Sequence, residues 1–156
     1  MFFPDYYTGH ELFLESVSKM LAQELTPHVD RWEREGNFPD ELFTTLGSQG
    51  YLGLLVSEPY GGTGGDYHLA GAWCEAWGAV PAVGLTTGVN MHSLVISHAV
   101  DKYGSEAIKQ EWLPRAVAGT AIGAYAFTEP GAGSDLSALR TKAVREKGGW
   151  VLEGSK

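Results

Sequence analysis

The spacing of apolar residues changes once along this chain, near residue 119, and the change limits the folds that the chain can adopt. Before it, apolar side chains recur every three or four residues, which is typical of amphipathic helices. After it, three short runs rich in strand-forming residues, at 122–127, 141–145 and 150–153, are separated by glycines. We therefore predict an α+β chain, with a helical domain at residues 1–119 and the start of a β-domain at 120–156, which looks unfinished.

Polar residues and prolines mark where the predicted helices begin. Thr8 followed by Glu11 forms a capping-box pattern, and Pro27 is expected to kink the first helix. Asp66 and Ser105 can each cap a later helix. The five predicted helices begin near Thr8, Pro39, Asp66, Val83 and Ser105. A turn at Lys147, Gly148 and Gly149 predicts a hairpin between the last two strands.

Charge and cysteine content exclude some classes of partner. The chain carries 19 acidic and 11 basic residues, a net charge of -8, and no basic run that could neutralise a nucleic-acid backbone. Cys74 is the single cysteine, so no internal disulfide can form, and we expect this residue in the core. With no visible signal peptide and with the apolar stretch 79–100 interrupted by glycines and Pro81, we expect a cytoplasmic protein without a membrane span.

Residues 125–135, with the sequence YAFTEPGAGSD, form the segment that is richest in binding chemistry. Gly131 and Gly133 can adopt positive φ and present N–H groups to an anion. A flat apolar wall and hydroxyl groups are supplied by Tyr125, Phe127, Thr128 and Ser134. Such a loop would suit a cofactor with a ring at one end and phosphates at the other, although a plain turn is the alternative.

The same eleven residues resemble the flavin-binding signature of the acyl-CoA dehydrogenase family. The similarity continues over most of the chain, although it covers only the amino-terminal portion of the family's architecture. Its other segments read FP at 38–39, GYLGL at 50–54, EPYGG at 58–62, YGS at 103–105, QEWLP at 110–114 and GWVLEGSK at 149–156.

The resemblance implies that the chain binds FAD and an acyl-CoA. It assigns to the cofactor Tyr125, Ala126, Phe127, Thr128, Gly131, Ala132, Gly133 and Ser134. It assigns to the substrate Ser134 and, on the fourth helix, Thr86, Thr87, Asn90, Met91, Leu94 and Val95. For Met91 and Leu94, ordinary core packing is the alternative interpretation.

In this family a carboxylate removes the proton α to the thioester while the β-carbon passes a hydride to the flavin, and an electron-transfer flavoprotein then accepts the electrons. The resemblance places that carboxylate beyond Lys156, so we predict no catalytic residue in these 156 residues and no activity for them alone. For Glu129 we predict a role in structuring the loop. His92 and His98 are six residues apart, a poor spacing for metal ligands on a helix.

Three alternatives share the same signature. An acyl-CoA oxidase would pass electrons to oxygen, a flavin monooxygenase would act on another substrate, and a non-enzymatic flavin-bearing scaffold would lack the base. The resemblance also implies a homo-oligomer, a tetramer or a dimer, for the complete protein.

Overall fold

The computed structural model describes residues 9–156, which divide into a helical unit that ends at Ala124 and a second unit, Tyr125–Lys156. The chain is helical with a two-stranded antiparallel sheet at its end, as the change of apolar spacing predicts. None of the described helices is long and apolar enough to cross a membrane.

The helical unit contains seven α-helices, two π-helical segments and one 3₁₀ turn within the described residues. The α-helices are α1 (Glu11–Met20), α2 (Thr26–Glu35), α3 (Glu41–Ser48), α4 (Tyr67–Trp77), α5 (Val83–Asn90), α6 (Ser97–Tyr103) and α7 (Glu106–Val117). The π segments are π1 (Leu21–Leu25) and π2 (Met91–Ile96), and the 3₁₀ turn is Glu58–Tyr60.

Local capping fixes the starts of α4 and α7. The Asp66 carboxylate accepts a hydrogen bond from the Leu69 N–H at 2.8 Å, and the Ser105 hydroxyl accepts one from the Ile108 N–H at 3.4 Å. Both predicted caps are therefore confirmed. The cap predicted at Thr8 lies outside the described residues.

The two π segments each lie inside a longer helix, and a hydroxyl group supports each of them. The Thr26 Oγ1 donates to the Leu21 carbonyl oxygen at 3.0 Å, and the Ser97 Oγ donates to the His92 carbonyl oxygen at 2.8 Å. The backbone N–H groups of Thr26 and Ser97 donate to the same two carbonyl oxygens, so each hydroxyl adds a second hydrogen bond to its π turn. π1 ends two residues before Pro27, where a kink was predicted, and the helix continues through Pro27 as α2.

The core of the helical unit forms around two tryptophans of α4. Trp73 and Trp77 are fully buried with ring centroids 5.4 Å apart. The buried side chains around them come from α1, π1, α2, α3, the loop between α3 and α4, and α5. They are Leu14, Val17, Leu21, Leu25, Val29, Leu42, Phe43, Leu46, Leu52, Leu54, Leu85 and Val89. Leu12 of α1 is 83% exposed, whereas Leu14 of the same helix is buried. Cys74 is exposed as well, so its predicted place in the core is wrong.

Glycines allow α3 and the end of α7 to approach at backbone contact. A Cβ on Gly47 would overlap the backbone carbonyl of Ala118, and a Cβ on Gly119 would overlap that of Phe43. Gly119 also has a φ of +72°, a conformation that side chains other than glycine rarely adopt. The chain can leave α7 beside α3 only because both positions lack a side chain.

The second unit contains a hairpin of β1 (Lys142–Glu146) and β2 (Gly149–Glu153). The strands pair antiparallel with Val144 opposite Val151, and Gly148 has a φ of +95° in the turn, so the predicted hairpin is confirmed. All ten strand residues are exposed. The strand predicted at 122–127 is wrong, since these residues form irregular backbone. A strand needs a partner for its backbone hydrogen bonds, and within the described chain β1 and β2 pair only with each other.

Candidate functional site

The segment that enters the second unit presents a pair of aromatic rings. The Tyr125 and Phe127 ring centroids are 4.0 Å apart with an interplanar angle of 46°, and both side chains are exposed. Ala126 and Thr128 are exposed beside them. An exposed aromatic pair with a neighbouring hydroxyl can contact a flat heteroaromatic ring by stacking and hydrogen bonding.

A tight turn follows, with Pro130 and Gly131 at its centre. Glu129 and Ala132 exchange two backbone hydrogen bonds, at 2.9 and 3.1 Å, and this pairing closes the turn. Neither Gly131 nor Gly133 has positive φ, so the predicted left-handed conformation is wrong. The turn closes with ordinary backbone angles, because proline at its second position fixes a negative φ that a common turn type requires.

Glu129 is the buried anchor of this loop. Its Oε2 accepts a hydrogen bond from the Arg140 N–H at 2.8 Å, and its Oε1 accepts from the Thr141 N–H at 3.0 Å and from Lys156 Nζ at 3.0 Å. The Thr141 hydroxyl, these two backbone N–H groups and the Lys156 ammonium hold the pKa of Glu129 down at about 2. The predicted role of Glu129 in structuring the loop is confirmed.

Asp135 ends the loop by capping a 3₁₀ turn, Leu136–Ala138. One carboxylate oxygen accepts hydrogen bonds from the Ser137 hydroxyl at 2.6 Å and the Ser137 N–H at 3.0 Å. The hydroxyl, and then the N–H, lower the pKa of Asp135. Ser134, immediately before it, is exposed. Of the eight residues predicted to contact the cofactor, seven are exposed and Ala132 is buried.

Six of the predicted substrate residues lie on the continuous helix formed by α5 and π2, and Thr86 is half-buried. Thr87 and Val95 are exposed, whereas Met91 is half-buried and Leu94 packs partly against the core. The Asn90 Oδ1 accepts a hydrogen bond from the Trp73 indole N–H at 2.8 Å, which gives Asn90 a structural task. The seventh, Ser134, belongs to the second unit.

These residues line neither of two cavities found within the described part of the helical unit. One cavity of about 240 Å³ lies between Trp32, Phe38 and Leu85, and another of about 190 Å³ lies beside Tyr67, His98 and Asp101. The side chains of Thr87 and Val95 lie on an exposed helix surface and not inside either cavity.

His92 has a structural role that sequence reasoning did not identify. The ring is fully buried, with Nε2 donating to the Ala116 carbonyl oxygen at 3.0 Å and Nδ1 accepting from the Gly123 N–H at 3.0 Å. Burial lowers its pKa, so the ring is held neutral. His92 thereby ties π2 to α7 and to the segment that leaves the helical unit. Only its place on the apolar side of a helix could have indicated burial.

No group of three or more potential metal ligands occurs among residues 9–156. His98 instead contacts the Leu55 carbonyl oxygen through Nδ1 and the Tyr67 hydroxyl through Nε2, both at 3.2 Å. These contacts are structural.

Comparison with known proteins relates both units to one family. The family described as Acyl-CoA dehydrogenase, N-terminal domain, matches residues 8–120. The mitochondrial long-chain specific acyl-CoA dehydrogenase of Sus scrofa is 40% identical over 147 residues, which cover 94% of this chain and 34% of that protein.

Solved structures agree with this relationship. An acyl-CoA dehydrogenase from Geobacillus kaustophilus superposes with a TM-score of 0.87 at 35% identity, over 94% of this chain and 38% of that one. A glutaryl-CoA dehydrogenase from Mycobacterium smegmatis in complex with FADH2 gives 0.86 at 32% identity, over 94% and 37%. The chain thus spans little more than a third of the length of these relatives.

Proposed function

The chain belongs to the acyl-CoA dehydrogenase family, and from this premise we propose that it forms one wall of the active site of a flavoprotein that dehydrogenates acyl-CoA thioesters. The observation that carries the proposal is the exposed segment Tyr125–Thr128, which is held by an internally hydrogen-bonded loop and belongs to the stretch that resembles the family's flavin signature. In this proposal the 156 residues are part of a longer protein, since the relatives are nearly three times as long.

The residues of the loop fit FAD. Tyr125 and Phe127 offer an apolar surface for a flat ring, and the Thr128 hydroxyl can bond to the polar edge of that ring. Gly131 and Gly133 have open space where a Cβ would be, so a bulky ligand can approach their backbone closely. When bound, FAD supplies the hydride acceptor, and these residues hold it in place.

Residues of this loop and residues on the helix formed by α5 and π2 are each proposed to contact the acyl-CoA. Ser134 would contact the bound acyl-CoA, and its acyl chain would pass over the apolar residues Met91, Leu94 and Val95. Thr87 and Asn90 precede these residues on the same helix and are proposed to contact the substrate as well. Apolar walls with a few polar groups are typical of sites for such substrates.

The proton-abstracting base is proposed to lie in another part of the complete protein. Glu129 is unsuited to the task, because three hydrogen-bond donors already occupy its carboxylate and its pKa is about 2. We therefore expect residues 1–156 alone to be inactive. The electron acceptor is proposed to be an electron-transfer flavoprotein, and the complete protein a homo-oligomer.

The test uses the full-length protein, purified and assayed with acyl-CoA esters of graded chain length and an artificial electron acceptor. We expect bound FAD, acyl-CoA-dependent reduction of the acceptor and an α,β-unsaturated product. Absence of bound flavin would contradict the proposal. Rapid oxygen consumption with peroxide formation would indicate an oxidase, and bound flavin without turnover would indicate a scaffold. The 156-residue chain serves as the inactive control.

A further inference from the structure

Three separate parts of the second unit meet at one buried carboxylate. Glu129 is only 9% exposed, and its two oxygens contact the backbone N–H groups of Arg140 and Thr141, just before β1, and the ammonium of Lys156, just after β2. A buried carboxylate is costly unless it is paired and hydrogen-bonded, and here both conditions are met. The arrangement links the loop to the residues that enter the hairpin and to the residue that follows it.

Lys156 makes a second contact that reaches the aromatic segment directly. Its Nζ donates to the Phe127 carbonyl oxygen at 2.9 Å while it contacts Glu129 Oε1 at 3.0 Å. One ammonium group therefore holds the carbonyl of the peptide bond that joins Phe127 to Thr128. The side chain of Lys156 is itself 29% exposed, whereas that of Glu129 is 6% exposed, so the pair is partly shielded from water.

We propose that Lys156 and Glu129 are positioning residues for the flavin-facing segment Tyr125–Thr128: the Lys156 ammonium, bridging the Glu129 carboxylate and the Phe127 carbonyl, sets the orientation of the aromatic pair and of the Thr128 hydroxyl toward the cofactor. This inference rests on the proposed function. Neither residue touches the reacting atoms in this proposal. Their contribution is to keep the contacting groups preorganised, so that binding does not have to order them.

The contacts made by Lys156 distinguish the two substitutions that test the proposal. Lys156→Met keeps the length and apolar stem of the side chain but removes the charge and all donors. Lys156→Arg keeps the charge and can still donate to both the carboxylate and the carbonyl. Lys147→Met is the matched control, because Lys147 is an exposed lysine in the turn of the same hairpin and contacts neither group.

The experiment measures, in the full-length protein, the dissociation constant of FAD, the visible absorption spectrum of the bound flavin and its reduction potential. We expect Lys156→Met to weaken FAD binding about tenfold and to shift the spectrum and the potential, since charge-assisted hydrogen bonds are among the stronger ones. Lys156→Arg should restore most of the wild-type values, and Lys147→Met should match the wild type.

The outcomes separate this proposal from the one on which it rests. A wild-type protein without bound flavin overturns the proposed function. A wild-type flavoprotein whose Lys156→Met variant keeps the same FAD affinity, spectrum and potential overturns the positioning role alone. If Lys156→Met does not fold, Glu129→Gln, which keeps the shape of the side chain and removes its charge, decides by the same three measurements.

Discussion

At the scale of single residues, His92 makes the stability of the helical unit dependent on pH. Its Nδ1 accepts the Gly123 N–H, so a proton on that nitrogen would place two donors against each other. Burial lowers the pKa of His92 below its ordinary value of 6.5. The neutral ring therefore stabilises the fold fully above about pH 6.5, and this contribution falls as pH decreases toward the lower pKa of the folded state.

We predict that replacing His92 with Gln flattens this dependence. Below pH 6.5 the wild-type protein should lose up to about 1.4 kcal/mol of stability per pH unit from this residue, and the variant should not. Melting temperatures of both full-length proteins between pH 5 and 7 measure the difference. Glu129 does not contribute in this window, since its pKa is about 2 and its stabilising effect is lost only as pH falls below about 4.5. Parallel profiles for the two proteins would contradict the prediction.

Glu129 and His92, which are both buried and polar, show how much sequence reasoning could predict about single residues. The position of Glu129 before a proline, in a signature loop, predicts its structural role but not its hydrogen-bond partners, since Arg140 and Thr141 are 11 and 12 residues away. The partners of His92 are 24 and 31 residues away, so nothing near it in the sequence indicates which groups it bonds. The same holds for Lys156, whose contact with Phe127 spans 29 residues.

At the scale of elements, the packing of α3 against the end of α7 depends on glycine for two separable reasons. Gly119 has positive φ and also leaves no room for a Cβ beside Phe43. Gly36, at the end of α2, has a similar φ of +67° but open space around it. Substitutions at Gly36 and at Gly119 therefore separate the cost of a positive φ from the cost of steric overlap.

We predict that Gly36→Ala lowers the free energy of unfolding by about 1 kcal/mol, the usual effect of a left-handed non-glycine residue. Gly119→Ala should lower it by about 3 kcal/mol, because overlap with the Phe43 carbonyl is added to the same conformational effect. Urea unfolding of the two variants and the wild type gives both values. Equal losses would show that α3 and α7 can separate at little cost.

The sequence could predict the elements that depend on residues close to them in the chain. Helix caps at Asp66 and Ser105 and the glycine turn at 148 depend on neighbouring residues only, and all three are confirmed. The strand at 122–127 was wrong because a strand requires a pairing partner, which residue types alone do not supply.

At the scale of the whole molecule, the two units are joined by residues that no secondary structure protects. The helical unit ends at Ala124, fixed one residue earlier by the His92 contact with Gly123. The next hydrogen-bonded anchor described is the Phe127 carbonyl. Between them the backbone is irregular and Tyr125 is exposed.

This junction has a consequence for proteolysis, since exposed segments without helix or strand are the preferred sites of protease cleavage. Chymotrypsin, which cuts after aromatic residues, should nick the 156-residue chain first after Tyr125 or Phe127. Tyr67 and Tyr103 are exposed too, but both lie within helices and should be cut later. Mass spectrometry of a brief digest should find fragments that begin at Ala126 or Thr128, and first cuts within α4 or α6 would contradict this. In the full-length protein, added FAD should slow cleavage there, because a ligand lying on the aromatic pair would cover the bonds that the protease attacks.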